Sequence, residues 1–187
     1  MVKMLQVPYF CCIVFLCSIL ADTEGVKYKA KLSPNYTLVW ETVDNEFINF
    51  AALVKTTGWV GLGLNTKPKM DGADLVISGV KNDTRPYLFA YHGIGHHLIE
   101  EETSHWDIGY GRVFEDWNAT VTLVNMIRPL DSNHKDGINI EDKDMYLLWS
   151  YGLDDDVSKK HVERGVIRVN FISPSSSNNN PDNIGIL

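Results

Sequence analysis

Short apolar segments separated by turn residues fill most of the chain between residues 26 and 172. These segments are rich in β-branched and aromatic residues, which favour β-strands. Their sequences are YTLVWETV, EFINFAALVK, GWVGLGLN, ADLVISGV, RPYLFAYHGI, ATVTLVNMI, DMYLLWSYG and GVIRVNFI. No stretch carries its apolar residues at a helical period. The pattern therefore predicts an all-β fold in which two antiparallel sheets pack face to face.

Residues 47 to 54 are apolar on both alternating sets of positions. Such a strand is central in its sheet, or its second face is covered by a ligand or by loops. The glycines of GWVGLG, Gly58, Gly61 and Gly63, indicate a bulge or the close approach of another group, because glycine weakens a strand. We interpret Trp59 as a core residue, with sugar stacking as the alternative.

The first residues, MVKMLQVPYFCCIVFLCSILADTEG, combine a basic start, an apolar stretch from Phe10 to Leu20 and a small residue, Ala21. This pattern predicts a secretory signal peptide over residues 1–21, with an uncleaved anchor as the alternative. The apolar stretch is shorter than the ~20 residues of a spanning helix. No later segment is long enough either, so we expect no stable membrane insertion of the mature chain.

The mature chain is expected to form one domain over residues 22–173, followed by a disordered polar tail over residues 174–187. All three cysteines lie within residues 1–21, so the mature chain has no cysteine for a disulfide. The net charge of −7 excludes nucleic acid as an expected partner, because such binding depends on neutralising phosphates.

Three N-x-[ST] sequons begin at Asn35, Asn82 and Asn118. Each is an acceptor for N-glycosylation in a secreted protein, and each is expected at the surface. Together with the leader, they predict a secreted, extracellular glycoprotein.

Five segments resemble the DOMON domain family. They are GWVGLGLN (58–65), MDGADLVI (70–77), IRPLD (127–131), LLWSYG (147–152) and HVERGVIRVNF (161–171), in the order and at roughly the spacing of that family. The most specific part is the pairing of G-W-x-G-L-G with the M-x-G-A-D that follows. The resemblance covers most of the mature chain and implies an immunoglobulin-like antiparallel β-sandwich, which agrees with the fold predicted from the alternation.

Some DOMON domains bind haem b, among them the cytochrome domain of cellobiose dehydrogenase, and others accompany membrane cytochromes of the b561 type. In haem-binding members, the methionine of M-x-G-A-D and a histidine just before an R-G-x-I strand are the axial ligands. Met70 and His161 occupy these positions. The resemblance therefore implies a haem b site with Met70 and His161 as iron ligands.

Ligation by protein at both axial positions favours electron transfer over oxygen activation, because no position is left vacant for oxygen. A separate redox protein or a membrane cytochrome b561 would exchange the electrons. A role in which haem is only sequestered cargo is an alternative. Neither a G-x-S-x-G motif nor a mature cysteine is present, so we expect no enzymatic centre in the chain itself.

The histidines of HGIGHH, His92, His96 and His97, form a second candidate site, with His105 nearby. Zinc or copper binding is the alternative function here, since both metals accept imidazole ligands. The i, i+4 spacing would place His92 and His96 on one face only in a helix, and the two glycines oppose a helix. We therefore interpret HGIGHH as a polar loop at the rim of the haem pocket.

Several acidic residues are expected to have structural roles. We interpret Asp71 and Asp74 as turn residues, with Asp74 capping backbone N–H groups and a cation site as the alternative. The runs EEE (100–102) and DDD (154–156) are interpreted as solvated loop charge, with calcium binding as the lesser option.

The rival function is a non-catalytic extracellular module that recognises a carbohydrate or another ligand without haem. The segment WDIGYGRVFEDW supplies three aromatic residues, Trp106, Tyr110 and Trp117, among flexible glycines. Aromatic rings of this kind can stack on sugars, and packing in the core is the alternative for each ring.

Overall fold

The structure is a computed structural model that describes residues 26–82, 84–116, 119–174 and 184–186. The predicted signal peptide (1–21), Trp117, the sequon residue Asn118 and residues 175–183 of the tail lie outside the described residues. Within the described ranges, no helix is long and apolar enough to cross a membrane.

Twelve antiparallel strands form two six-stranded sheets in the described chain, which confirms the predicted β-sandwich. The first sheet has the order β12-β1-β2-β3-β9-β8, and the second has the order β11-β10-β4-β5-β6-β7. In chain order the strands are β1 (Tyr28–Lys31), β2 (Tyr36–Val43), β3 (Phe47–Val54), β4 (Val60–Asn65), β5 (Asp74–Lys81), β6 (Arg85–Ile94), β7 (His97–Glu100), β8 (Asp107–Asp116), β9 (Ala119–Pro129), β10 (Met145–Tyr151), β11 (Glu163–Val169) and β12 (Ile184–Ile186).

The main core lies between the two sheets. Strands β2, β3 and β10 bury every second residue, as expected when one face of a strand packs on the opposite sheet. Trp40 and Phe50 from the first sheet both contact Phe171 edge-on, with ring centroids 5.6 and 5.3 Å away. Trp40 Nε1 also donates to the carbonyl of Phe171 at 3.2 Å, so its polar atom is satisfied inside the core.

Strands β4 and β5 are buried on both faces, apart from Lys81 at the end of β5. Residues 47–54 form β3, which is central in its sheet, as one of the alternatives for this segment predicted. The outer faces of β4 and β5 are covered by a second apolar cluster, hereafter the outer cluster, in which Trp59 is buried, as expected of a core residue. Its buried members are Trp59, Ala73, Leu75, Ile77 and Tyr91.

The last three described residues, 184–186, form β12 and pair with β1. The sequence predicted disorder for the whole tail from residue 174. The pairing of Ile184 with Ala30 and of Ile186 with Tyr28 extends the first sheet by one strand. An apolar end of a polar tail is thus sufficient to add an edge strand to this sheet.

One buried carboxylate connects the two sheets. Asp74, the first residue of β5, accepts hydrogen bonds from Arg128 Nη1 at 2.6 Å, Trp106 Nε1 at 2.8 Å and the Ile138 backbone N–H at 3.0 Å. Asp74 is therefore a core acceptor, and its interpretation as a turn cap was wrong. Trp106 is only 2% exposed, so it is a core residue and cannot stack on a sugar from solvent.

Candidate functional site

Met70 lies in the connection between β4 and β5, and side chains on either side of it fix this connection. Asn65 Nδ2 donates to the carbonyl oxygens of Lys69 at 2.7 Å and Asp71 at 3.2 Å. Asp71 Oδ1 accepts from the Gly95 N–H at 2.9 Å, which ties the connection to the turn between β6 and β7. Asp71 therefore acts as a turn residue, as the sequence indicated.

The connection packs against the end of β6. A Cβ atom on Gly93 would lie 2.0 Å from the carbonyl oxygen of Met70, so only glycine permits this approach. Gly72 adopts a φ of 76°, in the left-handed region that glycine favours, and its N–H donates to the Gly93 carbonyl at 2.8 Å. The half-buried side chain of Met70 packs against the outer cluster.

His161 lies in the connection between β10 and β11 and is half-buried. Its Nε2 accepts a 3.4 Å contact from Nη1 of Arg164. Burial, followed by the positive charges of Arg164 and Lys160, lowers the pKa of His161 below its ordinary value. The imidazole is therefore neutral near pH 7, which is the form that binds metals.

The register of the second sheet places the connections of Met70 and His161 at opposite ends of β4. Tyr151 at the end of β10 pairs with both Glu163 and Val60, so the connection of His161 lies near the start of β4. Met70 follows the other end of β4. Met70 contacts the outer cluster directly, and the connection that carries His161 contacts it through Val157.

Two glycines of β4 form the floor of this outer face, and neighbouring side chains lie over them. A Cβ on Gly63 would stand 2.4 Å from Leu75 Cδ2, and one on Gly61 would stand 3.3 Å from Trp59 Cζ3. Trp59 Nε1 is buried and has no hydrogen-bond partner among the described residues. The bare backbone therefore allows Trp59 and Leu75 to pack directly on the sheet.

The connection from β10 to β11 crosses over the same face. It is anchored at its start, where Thr56 Oγ1 donates to the Gly152 carbonyl at 2.5 Å, and further on, where Tyr87 Oη donates to Asp155 Oδ1 at 2.7 Å. Val157 from this connection packs against the outer cluster. The chain's own loops thus supply part of the cover over β4 and β5.

The outer face also has an exposed apolar margin. Phe89 on β6 is 38% exposed, Val166 on β11 is 44% exposed, and Val162 beside His161 is 54% exposed. A thioether, a neutral imidazole and apolar surroundings are the groups that hold haem iron in a protein. The chemistry of the donor set fits a haem group, which Met70 and His161 would hold. Trp59 and Leu75 fill the space over the glycines of β4.

The histidines of HGIGHH and Glu101 are placed differently from the expectation, whereas Asp154 and Asp156 are exposed as the sequence predicted. HGIGHH forms the β6–β7 hairpin and not a polar loop, with His96 and His97 exposed. His92 pairs in register with Asp74, on the inward face of its strand. Glu101 was interpreted as solvated, yet its side chain is only 3% exposed. The alternation along β6 could have indicated that His92 points inward, because His92 lies on the same face of the strand as the buried Ala90.

The fold and the matched segments define the class of protein. An antiparallel sandwich whose β4–β5 connection carries M-x-G-A-D has the architecture implied by the family resemblance. The DOMON domain family model matches residues 32–152. The chain belongs to the DOMON domain family.

Two solved cytochrome domains are similar to this chain in fold. The cytochrome domain of cellobiose dehydrogenase from Myriococcum thermophilum has a TM-score of 0.54 and 13% identity, covering 83% of this chain and 85% of that chain. The cytochrome b domain of pyranose dehydrogenase from Coprinopsis cinerea has a TM-score of 0.51 and 11% identity, covering 72% and 76%. These similarities show a shared β-sandwich.

Sequence relatives include larger proteins. DBH-like monooxygenase protein 2 of Mus musculus is 31% identical over 148 residues, which is 76% of this chain and 23% of that protein. DBH-like monooxygenase protein 1 of Mus musculus is 27% identical over 166 residues, which is 84% of this chain and 26% of that protein. The chain spans less than a third of the length of the curated relatives it matches.

Proposed function

We propose that this chain is a haem b-binding DOMON domain that transfers electrons, with Met70 and His161 as the axial ligands. One observation carries the proposal. Met70, at the M-x-G-A-D position, packs against the outer cluster, and the connection that carries His161 contacts the same cluster through Val157. The likeness in fold to cytochrome domains of two dehydrogenases supports it.

Neighbouring residues position Met70 and keep His161 in the neutral form that binds metal. The hydrogen bonds of Asn65 hold the connection that presents the Met70 thioether. The depressed pKa of His161 keeps its imidazole neutral, and the 3.4 Å contact between Arg164 and Nε2 would have to open for that nitrogen to hold iron. Haem supplies one-electron redox chemistry, and a thioether ligand favours its ferrous form and so a higher potential.

The chain exchanges electrons in this proposal and does not turn over a substrate of its own. Its partner is a separate redox protein or a membrane cytochrome b561. We also propose that the chain is exported through the leader at residues 1–21 and glycosylated at Asn35, Asn82 and Asn118. Asn82 is exposed at the turn before β6, whereas Asn35 is half-buried with Nδ2 3.3 Å from the Tyr151 hydroxyl.

The experiment that tests the proposal is haem reconstitution of the purified protein, followed by absorbance and resonance Raman spectra of both redox states. We expect a six-coordinate, low-spin haem that is reduced and reoxidised reversibly. Met70→Ala and His161→Ala should each give a five-coordinate or high-spin spectrum. The matched control is His97→Ala, because His97 is an exposed histidine of the β6–β7 hairpin.

Circular dichroism of each variant shows whether it is folded, so a lost spectrum can be assigned to lost ligation. A folded wild-type protein that takes up no haem contradicts the proposal. An unchanged low-spin spectrum in both ligand variants also contradicts it. Uptake of haem without reversible electron exchange would support binding and overturn the electron-transfer role.

A further inference from the structure

A second group of ligand-type side chains lies inside one end of the sandwich. Glu101 directly follows β7, His105 precedes β8, and His134 lies in the connection between β9 and β10. Glu101 Oε2 is 4.0 Å from His105 Nδ1 and 3.9 Å from His134 Nδ1. The three ligand atoms lie within 4.8 Å of one another, although the residues come from separate parts of the chain.

Three polar atoms of this group are unsatisfied, whereas His134 Nδ1 accepts a long bond of 3.4 Å from the Asp136 N–H, which a metal ion would replace. Both carboxylate oxygens of Glu101 and Nδ1 of His105 are buried and have no hydrogen-bond partner in the part of the chain that the structure describes. The Glu101 side chain is 3% exposed and that of His105 is 6% exposed. Burying a carboxylate without a partner is costly, so the arrangement calls for a positive charge between these atoms.

Asp74 fixes which nitrogen of His105 faces Glu101. His105 Nε2 lies 2.9 Å from Asp74 Oδ2, and the same oxygen accepts from Arg128 Nη1. Because Asp74 is a carboxylate acceptor, Nε2 carries the proton, and the lone pair of a neutral His105 is on Nδ1. A carboxylate behind a histidine in this way is the usual support of a metal-binding imidazole.

His105 and His134 are also brought together by the loop between β9 and β10. Their rings have centroids 5.4 Å apart and an angle of 31° between planes. A Cβ on Gly137 would stand 3.2 Å from His105 Cε1. Glycine at position 137 therefore allows this loop to pack closely against the His105 ring. His134 lines an open depression formed by residues 131–139, which connects the group to solvent.

We propose that Glu101, His105 and His134 bind a divalent transition metal ion. Ligands about 2.0–2.1 Å from zinc at tetrahedral angles lie about 3.4 Å apart. The observed 3.9 and 4.0 Å therefore need inward shifts of about half an ångström to bind one ion. Two imidazoles and one carboxylate suit zinc or copper, whereas calcium and magnesium prefer all-oxygen sites.

His92 is the candidate for a fourth ligand. It lies opposite Asp74 in the β5–β6 register, and its Nδ1 is buried without a hydrogen-bond partner among the described residues. The nearest charged atom is Asp136 Oδ2 at 3.9 Å. The inward-facing histidine of HGIGHH is thus a candidate beyond the three clustered ligands, while His96 and His97 are exposed.

The test uses the haem-free, chelator-treated protein without a histidine tag, titrated with zinc chloride and, separately, with copper(II) and calcium chloride. Calorimetry measures affinity, and the thermal midpoint is followed with each ion. We expect one zinc ion per chain and a raised thermal midpoint, with calcium giving neither. Glu101→Gln and His134→Ala should each weaken zinc binding by at least about tenfold, and His92→Ala should weaken it less if water can replace that ligand.

Glu102→Gln and His96→Ala are the matched controls, because both residues are exposed neighbours in the same hairpin region. They should bind zinc with wild-type affinity. The proposal is overturned if Glu101→Gln and His134→Ala fold and still bind zinc as the wild type does. It is also overturned if the wild-type protein binds no zinc, in which case a proton on Glu101 satisfies the carboxylate. Neither result depends on haem, so failure here is distinct from failure of the proposed haem site.

Discussion

Asp74 of β5 and Arg128 of β9 form an ion pair across the two sheets, with 2.6 Å between Oδ2 and Nη1 and both side chains fully buried. Burial acts to raise the pKa of Asp74, but the hydrogen bond from His105 and the charge of Arg128 outweigh it and hold that pKa below its usual value. The pair therefore connects the two sheets within the core and stabilises the fold of the domain.

Replacing Arg128 with methionine should unfold much of the population. The change leaves Asp74 as an uncompensated buried charge, and loss of one partner of a buried ion pair typically costs about 3–5 kcal/mol. Urea denaturation at pH 7 measures the loss. Lys143→Met is the control, because its ion pair with Glu141 is exposed and should change stability by less than about 0.5 kcal/mol. Equal effects of the two substitutions would contradict the assigned role of Arg128.

The contribution of Asp74 also predicts a pH dependence. The pKa of Asp74 is lower in the folded protein than the value of about 3.9 in the unfolded chain. The Asp74 carboxylate therefore stabilises the folded state above about pH 3.9, and this stabilisation is lost as the pH falls through the folded-state pKa. Denaturation between pH 2 and pH 5 should show this loss in the wild type. Asp74→Asn should remove that part of the pH dependence, and an unchanged acid profile in a folded Asp74→Asn protein would argue against it.

Glu101→Gln should stabilise the metal-free protein near neutral pH. Burial raises the pKa of Glu101, although His134 opposes the shift, so the charged form disfavours folding. Because the pKa is higher in the folded state, the Glu101 carboxyl group contributes its full stability below the unfolded-state pKa of about 4.3. This contribution is lost as the pH rises through the folded-state pKa. We expect a gain of about 1 kcal/mol at pH 7 that disappears near pH 4.

Chemical denaturation in the presence of a chelator measures this gain, with Glu102→Gln as the exposed control. With zinc added, the order of wild type and Glu101→Gln should reverse. A variant that is less stable than the wild type in both conditions would show that Glu101 stabilises the fold without metal.

The depressed pKa of His161 can be tested by substitution of its neighbour. Arg164→Gln removes the charge next to Nε2 and should raise the pKa of His161 toward its ordinary value, leaving the part of the shift that burial causes. NMR titration of the haem-free protein measures it. Arg168→Gln, four positions further along β11, is the control and should leave the pKa of His161 unchanged. A pKa that does not move with Arg164→Gln would remove this arginine as a cause.

Gly93→Ala should displace Met70. The added Cβ would lie 2.0 Å from the Met70 carbonyl oxygen, and relieving such overpacking typically costs about 1–3 kcal/mol. Haem affinity should fall together with stability. Gly95→Ala is the control: Gly95 has a φ of 61° but no described atom within 4 Å of the added Cβ, so it should cost about 1 kcal/mol and leave haem affinity intact. Equal haem affinities would show that the Met70 connection tolerates the displacement.

The alternation of apolar and polar residues was sufficient to predict the sandwich. Side chains along a strand point to opposite faces in turn, whichever strands pair with it. The resemblance to a family then identified Met70 and His161; the structure places Met70 against the outer cluster and His161 in the connection that contacts this cluster through Val157. A central position was one alternative for residues 47–54, and β3 has that position. Burial of both faces occurs in β4 and β5, where the sequence did not predict it. The reason is that cover for an outer face comes from distant connections, such as the one that carries Val157.

The metal-ligand group could be predicted only in part, because His134 comes from a distant connection. Zinc or copper binding was an alternative for the histidines that include His92 and His105, but no local signal joined Glu101 or His134 to them. Glu101 lies in a run of three glutamates that has every local sign of a solvated loop, and it is buried only because the segments of His105 and His134 close over it. Trp106 is similar. Its neighbours are polar residues and glycines, yet its Nε1 reaches the Asp74 carboxylate in the core.

The five residues from Met70 to Asp74 cross from one face of the second sheet to the other. Met70 packs on the outside, whereas Asp74 holds Arg128 on the inside. Under the proposed function, exchange of Met70 would therefore remove an iron ligand and preserve the architecture, while exchange of Asp74 would disrupt the architecture itself. A search that scores M-x-G-A-D as a whole combines these two kinds of information, and scoring the two positions separately would distinguish chains that keep only the fold from chains that also keep the proposed ligand.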